Sequence, residues 1–188
     1  MQSSSTRPFL TMTVLSFKAI AGQTSVLILN QFTTTKHTMS IRPLHSIHTI
    51  IIHCTATPED REVTLEEINT WHKARGFDMV GYHYFIDLKG HVHVGRELIT
   101  VGAHASSYNK RSIGICYAGG CDKDMNPKDT LTQDQYTAMS GLVLALGTVL
   151  QKPLKIIGHN EISTKACPSF NVQDKFLGEQ LLLERQSF

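Results

Sequence analysis

Three consecutive isoleucines, Ile50, Ile51 and Ile52, sit inside the run 47–53 (IHTIIIH) and constrain this chain most. Successive side chains of a strand point to opposite faces, so an unbroken apolar run needs cover on both sides. The run therefore reads as a fully buried strand, not a half-exposed one. It ends in His53-Cys54-Thr55, where the chain leaves the sheet. Ligands of open α/β sheets collect at strand ends, which places His53 well for chemistry. A core histidine satisfied by hydrogen bonds is the plainer alternative.

The rest of the chain supplies the cover. Residues 64–75 read as a helix with a Thr64/Glu67 capping box, an apolar stripe of Leu65, Ile68 and Trp71, and Gly76 as its stop; His72 reads as a helix-surface residue. Residues 80–95 alternate as a β-hairpin turning at Lys89-Gly90. His91 and His93 fall on one face of its second strand, read as solvated, and Tyr82 reads as a strand aromatic packing on the core. Residues 101–109 form a loop around His104, and 112–117 (SIGICY) form a second buried strand closed by Gly119-Gly120. Thr132 and Gln135 cap a long helix to residue 151, with Tyr136, Met139, Val143, Leu146 and Leu150 as its buried stripe. After a strand at 154–157, Asn171 caps a last helix ending near Arg185, with Phe176, Leu177 and Leu181 inward. Strand, helix, hairpin, strand, helix, strand, helix is an α/β order. It predicts a single domain with a central mixed β-sheet flanked by helices on both faces.

Composition narrows the function classes. A net charge of +2 gives no electrostatic case for nucleic acid, and no apolar run is long enough to span a bilayer. The four cysteines contain no CxxC, which removes zinc-finger and thioredoxin readings, although a Cys116–Cys121 bridge is conceivable. Residues 1–40 are rich in Ser and Thr and contain no Asp or Glu. They are expected to be a disordered leader, or an extension preceding a true start at Met39, with the domain at 41–188. As a signal peptide the segment is weak, because Lys18 interrupts its apolar part.

The chemistry concentrates in residues 158–170, GHNEISTKACPSF. His159 follows a buried strand, Lys165 lies two residues before Cys167, and Pro168 discourages a helix from running on. Imidazole and thiolate are good zinc ligands, and a third ligand would leave one tetrahedral position open. Two buried strands that each end in histidine can lie side by side, so His53, His159 and Cys167 are expected to meet at one edge. A different chemistry would use Cys54 or Cys167 as a nucleophile with a histidine base.

IIHCTAT, WHKARGFDMVGYHYFI, GAHASSYNKRSIGICYAGG and GHNEISTKACPSF occur in this order. Together they resemble the N-acetylmuramoyl-L-alanine amidases of the bacteriophage lysozyme type, which are related to the peptidoglycan recognition proteins. The match covers roughly residues 45–175. The resemblance implies a zinc (Zn2+) site of His53, His159 and Cys167, with Tyr82 and Lys165 assisting catalysis and His104 lining the substrate groove. It implies cleavage of the amide between N-acetylmuramic acid and L-alanine, by water that zinc makes acidic, with Lys165 stabilising the oxyanion. Glu161 is near in sequence but need not face the metal. Asn171 stands where related sequences often carry Asp. The expected partners are peptidoglycan or muropeptides, the expected state is a monomer, and the protein is expected to be made in the cytoplasm and to act on the cell wall. Competing readings are a cysteine-nucleophile cell-wall peptidase, a non-catalytic muropeptide binder, against which Cys167 speaks, and a cytosolic recycling amidase, against which the Cys ligand speaks.

Overall fold

Ile50, Ile51 and Ile52 are fully excluded from solvent, and each contributes about 2 kcal/mol by burial. The computed structural model describes residues 39–185. In chain order the elements are β1 (Thr49–Cys54), β2 (Thr57–Pro58), α1 (Leu65–Ala74), β3 (Tyr84–Ile86), β4 (Val92–Val94), β5 (Ser112–Tyr117), β6 (Gly120–Cys121), α2 (Gln133–Leu150), β7 (Lys155–Gly158), α3 (Val172–Lys175) and α4 (Leu177–Arg185). Five strands form one sheet in the order β4-β3-β5-β1-β7, and β2 with β6 forms a second small sheet. β1 runs parallel to both β5 and β7, β3 runs parallel to β5, and only the edge pair β3/β4 is antiparallel. The expected mixed sheet is present. The small β2/β6 sheet has no counterpart in the sequence reading.

The connections explain why both faces are covered. From β1 the chain passes through α1 to β3, two places along the sheet in one direction. From β5 it passes through α2 to β7, two places in the other. Right-handed crossovers that move in opposite directions put their helices on opposite faces. Accordingly Ile50, Ile52, Ile113 and Ile115 pack with Met139, Val143 and Leu146 of α2 and Leu183 of α4. Phe85 and Cys116 pack with Ile68 of α1 on the other face. β1 is the strand where the direction reverses, so a crevice opens at its carboxyl end.

Local signals account for the helix ends. The Thr64 side chain accepts from the Glu67 N–H at 3.2 Å, and Thr132 with Gln135 forms a complete capping box. Asn171 accepts from Gln173 and Asp174 and does cap a helix. That helix breaks at Phe176, however, and the break overturns the expected inward face. Leu177 and Leu181 are 56% and 42% exposed, while Phe176, Glu179 and Leu183 are buried. Glu179 turns inward because Tyr136 Oη and Ser140 Oγ of α2 donate to its carboxylate at 2.8 and 2.5 Å. Cys116 and Cys121 are both buried free thiols, so no bridge joins them. The side chains of His91 and His93 both bond the Asp87 carboxylate, at 3.1 and 3.0 Å, which tightens the hairpin.

The expected leader at residues 1–40 lies, apart from its last two residues, outside the described residues. Where description begins, the chain is tied to the body. The Ser40 carbonyl accepts from Val101 N, and the buried Arg42 guanidinium donates to the carbonyls of Leu98, Asn109 and Ser112. The described residues, 39–185, belong to one compact unit.

His72 is a correction. It is buried and its Nδ1 accepts the Gly81 N–H at 2.8 Å. Burial, then Arg75 and Arg96, lower its pKa to about 4, and burial, then Arg42, lower that of His83 to about 3. Both groups have their ordinary value, 6.5, once unfolded. Below that value the unfolded chain binds protons that the folded chain refuses, so stability is full above pH 6.5 and falls as pH drops toward 4. The unfolding free energy from urea titrations is therefore expected to decline across that window by an amount on the order of a few kcal/mol, whereas a flat profile would contradict the buried neutral rings.

Candidate metal centre

His53 lies on the same side of β1 as Ile51, facing the α1 side of the sheet, one residue before the strand ends. β7 pairs with β1 up to Gly158, so His159 emerges beside His53, with ring centroids 4.5 Å apart. The following loop folds back and sets Cys167 Sγ 3.7 Å from His53 Nδ1. Tyr117 Oη of β5 pins that loop by donating to the Pro168 carbonyl at 2.7 Å. One ligand atom from each of His53, His159 and Cys167 lies within 4.8 Å of the others, the one such cluster among the described residues.

The three side chains fit a tetrahedral zinc ion. Ligand bonds of about 2.0–2.1 Å to nitrogen and about 2.3 Å to sulfur put neighbouring N and S about 3.6 Å apart. The His53–Cys167 separation is close to that. His159 Nδ1 is the one buried side-chain polar atom without a hydrogen-bond partner among the described residues. A buried nitrogen left unpaired is costly unless something binds it.

Electrostatics agree with that donor set. Burial, then His159, Lys165 and His72, push His53 well below its ordinary pKa, and burial, then Lys165, lower His159. Both imidazoles are neutral at pH 7, the form that ligates a metal. Cys167 Sγ accepts the Cys54 N–H at 3.2 Å. Contact with the Cys54 thiol and burial push the Cys167 thiol up, and a cation beside it supplies the charge that a thiolate needs.

Around the three lie the other expected residues. The Tyr82 ring is 5.1 Å from His53 and 5.2 Å from His72. Burial, then the three nearby thiols, push its phenol well above 10, so it keeps its proton and can donate. Lys165 is exposed, yet its charge acts on both imidazoles. His104 is placed directly behind His53, its Nδ1 3.0 Å from His53 Nε2. Glu161 is engaged elsewhere, accepting from Gly158 N at 2.6 Å and from Gln173. The thiol of Cys54 is buried beside the Cys167 thiol and Ser169 Oγ, the latter at 4.0 Å, and the residue is 5% exposed, but it is not one of the three clustered ligand atoms. The sequence reading missed His72 and His83, because their partners, Gly81 N–H and Arg42, lie in other segments.

A switch-point crevice holding two neutral imidazoles, a thiol and a proton-bearing phenol defines the class, an α/β hydrolytic enzyme with its site at the carboxyl ends of parallel strands. The N-acetylmuramoyl-L-alanine amidase family profile matches residues 43–170. This chain belongs to that family and is a peptidoglycan amidase. It is 39% identical over 122 residues to an endolysin of Enterobacteria phage K11, covering 65% of this chain and 80% of that one. It is 31% identical over 112 residues to peptidoglycan-recognition protein SC2 of Drosophila melanogaster, covering 57% of this chain and 58% of that one. Among solved structures, N-acetylmuramoyl-L-alanine amidase LysC from Clostridium intestinale superposes with a TM-score of 0.62 at 24% identity, covering 76% of this chain and 92% of that one.

Proposed function

We propose that the chain is a zinc-dependent hydrolase of the amide between N-acetylmuramic acid and L-alanine in peptidoglycan. His53, His159 and Cys167 hold the ion, and Tyr82 and Lys165 assist the reaction. The reading is carried by the buried, unpartnered His159 Nδ1 in a cluster whose ligand atoms lie within 4.8 Å of one another. When bound, the ion supplies Lewis acidity that makes water a nucleophile near neutral pH and polarises a carbonyl. Tyr82, protonated through the neutral range, donates a hydrogen bond to charge developing on oxygen. Lys165, exposed and with its charge acting on both imidazoles, would stabilise the oxyanion that develops on the scissile carbonyl. We take the amidase domain to be residues 41–188, acting as a monomer on the cell wall.

The test pairs metal content with release of stem peptides from purified peptidoglycan. About one zinc per chain is expected, with activity abolished by dialysis against a chelator and restored by added zinc. Activity that survives full metal removal but is lost to thiol alkylation would instead establish a cysteine nucleophile.

A further inference from the structure

We infer that His104 is a positioning residue, whose Nδ1 takes the Nε2–H of His53 and so holds the His53 ring with its own Nδ1 toward His159 and Cys167. The inference rests on the zinc reading above. His53 Nδ1 is the nitrogen beside Cys167 Sγ, at 3.7 Å, while its Nε2 lies 3.0 Å from His104 Nδ1. A neutral imidazole that ligates through Nδ1 carries its proton on Nε2, so the 3.0 Å contact runs from His53 to His104. His104 must then carry its own proton on Nε2, which faces Ser112 Oγ at 3.5 Å. Ser112 Oγ donates onward to the Tyr108 carbonyl at 2.9 Å, which leaves its lone pairs free to accept. Each donor in this series has an acceptor, and the series assigns a tautomer to both rings.

The socket around His104 is built for one ring position. A Cβ on Gly114 would lie 2.6 Å from His104 Cγ, and a Cβ on Gly102 would lie 2.6 Å from His104 Cδ2. Neither approach is possible for a residue larger than glycine without moving the imidazole. The Asn109 carboxamide oxygen accepts from the N–H groups of His104 and Ala105, at 2.9 and 2.8 Å, and fixes the backbone on the third side. Gly102, Asn109, Ser112 and Gly114, scattered through GAHASSYN and SIG, thus share one physical task. A ring lining a groove for substrate alone would need neither the glycines behind it nor its Nδ1 committed to a metal ligand.

The test compares zinc affinity, by competition with a chromogenic chelator, and the absorption bands of the cobalt-substituted protein for the parent, His104→Ala, His104→Asn and His104→Gln. The Asn oxygen stands near the Nδ1 position and can accept, whereas Gln fills the socket but carries its amide one methylene further. His104→Ala and His104→Gln are expected to weaken zinc binding about 10–100-fold and to shift the cobalt bands, with His104→Asn recovering most of both. Should His104→Ala not fold, the Asn–Gln contrast decides. Parent affinity and parent spectrum in the Ala or Gln variant, or equal losses in Asn and Gln, overturn the inference. So does a raised KM for peptidoglycan with unchanged zinc binding, which would return the ring to the groove. A parent that takes up no metal overturns the zinc reading itself, and that outcome is visible before any variant is compared.

Discussion

Cys167→Ala is expected to purify folded but without zinc, and to lose peptidoglycan amidase turnover by about 10³-fold or more. The reason lies in the donor set. His53 and His159 alone leave a divalent ion with two protein ligands, one short of the three that hold catalytic zinc. The thiolate is also the only negative charge in the cluster, so its removal leaves the ion against two neutral rings beside Lys165. The fold should survive. Cys167 lies in a loop at the sheet edge, and the one hydrogen bond plainly lost, from Cys54 N, costs about 1 kcal/mol. Far-UV circular dichroism and metal analysis read the two halves of the prediction separately. Cys54→Ala is the companion variant: its thiol is buried beside Cys167 but is not one of the three clustered ligand atoms, so it is expected to lower stability by about 1 kcal/mol while keeping zinc. If Cys167→Ala kept its zinc and lost only activity, the thiol would be a nucleophile and not a ligand.

The parts of this architecture that were legible in the sequence are those in which the signal and its cause lie within a few residues. Ile50–Ile52 forced a strand buried on both faces, SIGICY matched β5 residue for residue, and Thr132 with Gln135 made the capping box that its spacing predicts. The convergence of His53, His159 and Cys167 followed from two buried strands that each ended at histidine. What failed depended on partners far along the chain. A helical stripe alone favoured Leu177 and Leu181 as inward residues. The break at Phe176 resets the phase, and hydroxyls of Tyr136 and Ser140, about forty residues earlier, draw Glu179 in instead. His72 looked like a surface residue because its partner, the Gly81 N–H, belongs to the next segment. The placement of His104 was illegible for the same reason: it depends on the space left by Gly114 on β5.

Tyr82→Phe is expected to keep zinc at parent affinity, leave KM nearly unchanged and lower kcat by about 10²–10³-fold. The substitution removes one oxygen and preserves the ring that packs 5.1 Å from His53 and 5.2 Å from His72, so the walls of the site stay where they are. What is lost is a donor. Burial holds the phenol well above its ordinary pKa of 10, so it cannot serve as a base near pH 7 and can act only by offering its proton. A donor aimed at charge that grows during attack on the carbonyl affects the transition state more than the bound substrate, which is why kcat should carry the loss. The same burial makes a prediction for pH. With the donor protonated throughout, the parent profile should show no Tyr82 ionisation between pH 6 and 10, and Tyr82→Phe should lower the whole profile without changing its shape. A variant whose KM rises while kcat holds would make Tyr82 a substrate contact. One that also loses zinc would make it a support for His53, beside which it packs.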